Sequence, residues 1–263
     1  MMSIISGSSA QRPGEPRLIN VTADSAAGDP QVRALIQKVR TDADVFVFLA
    51  GGASKMPEEN KRKLLELFDA LAILARGTRL AVGDGGTQAG IMEAAGLARQ
   101  ASGYLFSLTG VAPANEIAPR GETAVDPHHS DVVAVDNRAW DASGGWWGSE
   151  TATMYELFAR LAEGRPSAAI VANGGSITLA EVDANIRAGR PMIVIAGSGR
   201  AADAVVSLLA GTDPVEGEVA ELRVRAADLQ LTRRPELVHI FTLADGSARG
   251  LARTLTDILR QKP

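Results

Sequence analysis

Three short runs of this chain combine glycine with a polar residue in a way that suits anion chemistry. They are Gly83-Asp84-Gly85-Gly86-Thr87, Asn173-Gly174-Gly175-Ser176-Ile177-Thr178 and Gly197-Ser198-Gly199-Arg200. A further pair, Gly51-Gly52, stands upstream. A glycine turn that leads from a strand into a helix aims backbone N–H groups outward at the positive end of the helix dipole, where a phosphate is stabilised. Glycine serves where a Cβ would block close approach or where φ must be positive. A tight turn that holds nothing has the same sequence, so one glycine pair decides little. Several at one end of a parallel sheet point to a ligand edge, because open α/β sheets bind ligands outside their strand carboxyl ends.

The side chains near these turns each have two readings. Arg200 opens a helix, where a positive charge is electrostatically unfavourable; it answers either to a bound phosphate or to an ion pair. Ser176 and Thr178 either touch a phosphate or cap a helix. Glu181 is a catalytic carboxylate, an acceptor for ribose hydroxyls, or a first-turn acid that complements the dipole. Asp84 either accepts a ribose hydroxyl or shapes its turn. Asp203 supports a helix N-terminus. His128 and His129 read as loop residues. Trp140, Trp146 and Trp147 are the chain's three tryptophans and fall in one Gly-rich stretch; they stack on a base, or anchor a lid or an oligomer contact. The expected ligand-binding set is Gly51, Gly52, Asp84, Gly85, Gly86, Thr87, Gly174, Gly175, Ser176, Thr178, Gly197, Ser198, Gly199 and Arg200. Glu181 is the one catalytic candidate.

The elements that must position these residues alternate short β-branched runs with longer amphipathic segments, the pattern of parallel strands joined by crossover helices. Strands are expected at Val45–Ala50, Arg79–Val82, Tyr104–Val111, Asp131–Val135, Ala168–Val171, Met192–Ile195 and Leu237–Leu243. Helices are expected after Pro57, over Gln88–Arg99 and Thr151–Ala162, from the second glycine run to Ala188, and over Arg200–Leu209 and Ala248–Leu259. Ala112–Ser130 and Asp136–Glu150 read as loops and Gly211–Gly217 as a linker. The expectation is a Rossmann-like α/β fold, a mostly parallel sheet with helices on both faces. Residues 1–15 read as a loose arm and 16–263 as one domain.

Composition narrows the function classes. With 27 Lys and Arg against 31 Asp and Glu, the net charge is -4, which speaks against general nucleic-acid binding. The absence of cysteine excludes thiol catalysis, thiolate metal sites and disulfides. The three histidines have no ligand spacing, so no metal is expected. No apolar run reaches the roughly 18 residues of a membrane span, and the N-terminus does not look like a signal peptide. No membrane partner and a cytoplasmic location follow as expectations. The sequence leaves homo-oligomerisation open and requires no cofactor.

Several of these segments resemble a known family. Gly83 to Met92 is similar to the first glycine motif of the SLOG superfamily. Asn173-Gly174-Gly175-Ser176-Ile177-Thr178-Leu179-Ala180-Glu181 is similar to the Pro-Gly-Gly-x-Gly-Thr-x-x-Glu motif of LOG phosphoribohydrolases. Ile195 to Asp203, carrying Gly-Ser-Gly-Arg-Ala-Ala-Asp, resembles a segment in the N-terminal cytosolic region of melastatin-type TRP channels. Gly51-Gly52-Ala53, Gly110-Val111-Ala112-Pro113 and the His129–Asn137 segment match that region in order. The chain therefore resembles the prokaryotic SLOG-in-TRPM (LSDAT) family over about residues 40–210. The resemblance implies a Rossmann-like fold and a nucleotide or ADP-ribose-like ligand. It implies a ligand sensor by the channel branch and an N-glycosidic hydrolase by the LOG branch. Two departures count against the hydrolase. No arginine takes the place of the LOG helix arginine in Thr153–Arg160, with Arg160 one turn late and Arg138 in the earlier loop. The motif's leading proline is Asn173 and its third glycine is Ile177, whose side chain would crowd a phosphate. The expected function is thus a nucleotide-binding sensor; the alternatives are a phosphoribohydrolase using Glu181 and a protein-interaction module.

Overall fold

A computed structural model describes residues 15–52, 56–212 and 217–261. Eight strands form one all-parallel sheet in the order β1-β5-β4-β3-β2-β6-β7-β8. They are β1 (Arg17–Thr22), β2 (Val45–Gly51), β3 (Leu80–Asp84), β4 (Ser107–Pro113), β5 (Asp131–Asp136), β6 (Ser167–Ala172), β7 (Met192–Ala196) and β8 (Val238–Thr242). The helices are α1 (Pro30–Asp42), α2 (Glu58–Ala75), α3 (Gly90–Ala101), α4 (Thr151–Ala162), α5 (Ser176–Arg187), α6 (Arg200–Ala210), α7 (Glu218–Ala227) and α8 (Ala248–Arg260). The expected α/β architecture is what the chain adopts.

Alternation along the central strands builds both faces of the core. Val47 and Leu49 of β2 pack with α2, α3 and α8 through Leu64, Phe68, Ile91 and Leu251. Phe46 and Phe48 turn to the other face, against α1 and α4 through Leu35, Val39 and Phe158. Further along that face Ala50, Val171 and Val194 meet α5, α6 and α7. Parallel strands buried on both faces are continuous apolar runs, which is why β2, β6 and β7 were legible as such.

Three elements went unassigned in the sequence. β1 joins the sheet edge beside β5, and α1 starts on an Asp29 carboxylate that accepts from the N–H groups of Gln31 and Val32. That Asp-Pro start, followed by Val32, Leu35, Ile36 and Val39, is itself a helix signature. α7 follows the expected linker, of which 213–216 lie outside the described residues. The arm expected at 1–15 also lies outside them, except Glu15. β4 starts at Ser107 instead of Tyr104, because Gly103 and Tyr104 both take positive φ (73° and 64°) and form a turn.

The chain runs outward from β2 through β3, β4 and β5, then returns to the other side of β2 with β6, β7 and β8. The carboxyl ends of β2 and β6 therefore flank a switch point, where connecting loops diverge and leave a crevice. Gly51 closes this junction. Its φ is +148°, and a Cβ there would stand 2.0 Å from the Ala172 carbonyl oxygen. Among the described residues no helix is long and apolar enough to cross a membrane.

Candidate functional site

The glycine runs all lie at strand carboxyl ends, but they do not form one uniform cradle. Gly174 and Gly175 follow β6, and Gly197 to Gly199 follow the neighbouring β7. The run after β3 turns the other way. Gly86 packs on Gly110 of β4, where a Cβ on Gly110 would stand 2.4 Å from the Gly86 Cα.

Asn173 ties the switch point together. Its φ is +51°. Its N–H donates to Ser198 Oγ at 2.8 Å, its Nδ2 donates to the Gly52 carbonyl at 2.9 Å, and its own carbonyl accepts from Ala202 N–H. A proline, as in the LOG motif, has no N–H and a φ locked near −65°. The departure at Asn173 is thus a different junction and not a decayed phosphate loop.

The turn after β7 is closed by the protein itself. Asp203 accepts from the Gly197 N–H at 2.7 Å and also from Gly199. The N–H groups of Ala201 and Ala202, at the start of α6, donate to the carbonyls of Gly174 and Asn173. Ser198 is fully buried and bonds inward to the Ile195 carbonyl. The turn after β6 is different. Among the described residues nothing accepts from the N–H groups of Gly174, Gly175, Ser176 or Ile177. These are the orphan donors of a helix N-terminus. Gly174, with φ +83°, leaves room for Thr178, whose Oγ1 would be 2.1 Å from a Cβ.

Arg200 lies across this open turn. Its Nη2 would be 2.9 Å from a Cβ on Gly175, and it donates to Glu218 Oε1 of α7 at 2.6 Å. Arg200 therefore forms an ion pair beside open N–H donors. Its backbone has φ +46°, rare for a non-glycine residue.

Behind the turn stand three buried carboxyls. Glu181 accepts from the Thr178 hydroxyl and reaches the Gly51 N–H across the switch point. Burial raises its pKa most, Glu150 and Asp84 add to that, and the two hydrogen bonds oppose it; the result is about 8. Glu150, just before α4, accepts from Gly148 N–H at 2.9 Å, and burial lifts it to about 7. Thr178 thus bonds Glu181, while Ser176 is exposed at the turn. Asp84 Oδ1 accepts from Gly86 N–H at 2.7 Å and meets His129 Nε2 at 2.7 Å, so Asp84 does shape its turn. Its Oδ2 is buried and accepts nothing among the described residues.

His129 is not the plain loop residue its sequence suggests. It lies buried between Asp84 and Asp126, whose Oδ1 is 3.1 Å from Nδ1. Burial alone would lower its pKa, but the two carboxylates outweigh that and raise it to about 9. Asp126 in turn fits only because Gly96 of α3 has no Cβ, which would stand 2.2 Å from Asp126 Oδ1. Glu150, Asp126 and the chain of half-buried Tyr155 with buried Asn185 and Arg190 near Glu181 also escaped the sequence reading. The Asn185 amide donates to the Tyr155 oxygen and the Glu181 carbonyl, and Arg190 donates to Asn185 Oδ1. Asn185 meets Glu181 and Arg190 locally, but its contact with Tyr155 spans 30 residues and is assembled by the fold.

The arginines that could have replaced the LOG arginine point elsewhere. Arg160 donates to the Ala27 carbonyl beside α1, and the exposed Arg138 pairs with Asp136. Ile177 does not cover the turn; a Cβ on Gly148 would meet its side chain at 3.5 Å, so it faces the tryptophan loop. That loop is tied down by Trp140 Nε1 to the Gly145 carbonyl and by Trp146 N–H to Glu116 Oε1. Among the described residues no group of three or more His, Asp or Glu could hold a metal ion.

The family model described as SLOG in TRPM, prokaryote, matches residues 44–252, from the start of β2 into α8. The chain belongs to the prokaryotic SLOG-in-TRPM family. The match spans the β2–β6 switch point, all three glycine turns and the carboxyls behind them, and leaves β1 and α1 outside. No curated relative matches this family member. Among solved structures it is similar to the molybdenum cofactor carrier protein of Chlamydomonas reinhardtii, at 16% identity over 83% of this chain and 99% of that one, with a TM-score of 0.47.

Proposed function

We propose that this SLOG-in-TRPM protein binds a nucleotide or ADP-ribose-like ligand at the β2–β6 switch point and acts as a sensor more than as an enzyme. The observation that carries the reading is the open turn of α5. Four N–H groups lie open at the N-terminus of a twelve-residue helix, and the Arg200 guanidinium stands beside Gly175, an arrangement that favours an anion. In this reading Gly51, Gly52 and Asp84 bound the ligand and Glu181 accepts from a sugar hydroxyl. Such a pairing of anion donors with carboxyl acceptors suits a phosphorylated sugar. Gly85, Gly86 and Thr87 then shape the β3 side, and Gly197, Ser198 and Gly199 support the site without donating to the ligand. Catalysis is disfavoured because no arginine replaces the LOG arginine next to Glu181.

A second reading has one observation in its favour. Glu181 and Glu150, with pKa values of about 8 and about 7, titrate near neutrality, as general acids and bases do. A hydrolase would use Glu181 at the ribose as oxocarbenium character develops. The test is a titration panel of AMP, ADP, ADP-ribose, NAD and cyclic AMP, followed by assay of free base released. Saturable binding with no release supports the sensor. Turnover near about 1 s⁻¹ that Glu181→Gln abolishes selects the hydrolase. Absence of binding across the panel refutes both.

A further inference from the structure

A second cleft lies along the outer side of the α2–α8 helix pair and reaches the amino edge of the sheet at Val45 and Thr78. Its volume is about 510 Å³, and it opens between the end of α2 and the length of α8, beside Val45 at the start of β2. That size falls in the roughly 300–1,000 Å³ range of small-molecule sites. The floor is apolar. Ile73, Leu74 and Ala252 are the outer edge of the core cluster that α2 and α8 share, and Ile73 is only partly covered.

The rim is cationic. Arg249, Arg253 and Arg260 line the cleft, and no acidic residue does. Among the described residues none of the three forms an ion pair or a side-chain hydrogen bond. Two of them are placed against helix physics. Arg249 is in the first turn of α8, where the dipole disfavours a cation. Arg249 and Arg253 are also one turn apart with like charge, which destabilises a helix. Arg260, in the last turn, is the one cation that the dipole favours. Leu251, Ala252, Leu255, Ile258 and Leu259 account for the buried face of α8, so the arginines are not needed for packing.

We propose that this cleft is a second binding site, for an amphipathic organic anion. Its apolar body lies on Ile73, Leu74 and Ala252, and its carboxylate, sulfonate or phosphate is held by Arg249 and Arg253. A concave floor of this volume takes a small molecule better than a flat protein surface. The uncompensated positive rim demands an anion and disfavours a neutral lipid. The site is independent of the nucleotide reading, because none of the residues that line it belongs to the open turn at Gly174–Ile177.

The experiment titrates the whole chain with decanoate, naphthalene-2-carboxylate and decan-1-ol, following backbone amide shifts by NMR. Decanoate and the naphthoate represent the two body shapes, acyl and aromatic. At least one of them is expected to bind one-to-one and at least tenfold more tightly than the alcohol. The shifts should centre on Gly77, Thr78 and Ala252 and leave Gly174 and Gly175 unmoved. Arg253→Gln and Arg249→Gln, both exposed positions, should each weaken binding about tenfold without loss of fold. Equal binding of acid and alcohol, an Arg249→Gln/Arg253→Gln double variant with wild-type affinity, shifts centred on Gly174, or no binding of either anion below millimolar concentration would each overturn the proposal.

Discussion

The turns after β6 and β7 look alike in sequence and differ in what their N–H groups do. After β7, Asp203 and the carbonyls of Asn173 and Gly174 take up the donors of Gly197, Gly199, Ala201 and Ala202. After β6, four donors remain open among the described residues. The helix acids differ in the same sense. Asp203 bends back onto its own loop, whereas Glu181 reaches out to Gly51 on another strand. A glycine turn is therefore a binding element only when its own fold leaves the donors free. Here one turn buttresses and the other presents.

The largest expected effect comes from severing the residue that joins the two turns. Asn173→Pro removes an N–H that bonds Ser198, removes the side-chain bond to Gly52, and forces φ away from +51°. Proline in an incompatible position costs about 3 kcal/mol, and the lost buried bonds about 1–3 kcal/mol more. Urea denaturation should show a loss of that combined order, or no folded protein. A variant of wild-type stability would mean that the turns are not coupled through Asn173.

Next in size is the pH dependence of the presenting side. The folded pKa of Glu181 lies above its unfolded value, so unfolding releases its proton between about pH 4.5 and about pH 8. Stability from this group is greatest below pH 4.5 and declines as pH rises to 8. His129 acts over a higher window: its raised pKa stabilises the fold below about 6.5, and this contribution is lost as pH rises through about 9. Glu181→Gln should make the decline between pH 4.5 and 8 shallower, with Glu150 still contributing up to about pH 7, and leave the higher step, as read by thermal melts from pH 4.5 to 9. An unchanged slope would show that Glu181 does not carry it.

Arg200→Ala tests which side of the comparison the arginine serves. If it helps present the open turn, nucleotide affinity falls by about 1.5–3 kcal/mol, the worth of a charged hydrogen bond, while the unliganded protein loses only the Glu218 ion pair, about 1 kcal/mol. Calorimetry that finds full affinity in a folded variant would leave Arg200 a role within the protein, as in its bond to Glu218. The smallest effect belongs to the buttress. Asp203→Ala should cost about 1–2 kcal/mol of stability through the lost loop bonds, as for a helix cap, with ligand affinity kept within twofold. A large affinity loss there would erase the distinction between the two turns.

Most of the framework could be read from the chain. Continuous apolar strands and glycine turns at their ends fixed the sheet, and Asp29-Pro30 would have yielded α1 as well. The site was legible only in part, because its chemistry depends on who is paired. The Gly197–Arg200 segment carried the most specific motif, yet its loop donors are internally satisfied. The open donors at Gly174–Ile177 carried a weaker motif with two departures. His129 meets Asp84 only because the end of β3 and the segment before β5 are brought together around β4, a contact across 45 residues that no local spacing encodes.

The switch point also sets a schedule for the growing chain. β2 gains one neighbour, β3, soon after it is made. The other, β6, is bound to it by contacts such as Asn173 to Gly52 that span 121 residues. At a synthesis rate of about 5–20 residues per second, this side of β2 waits roughly ten seconds for its partner. During that time a fully apolar strand presents an open edge, the arrangement most prone to pair with another chain. The central strand of the finished sheet is thus, for much of translation, an unprotected margin.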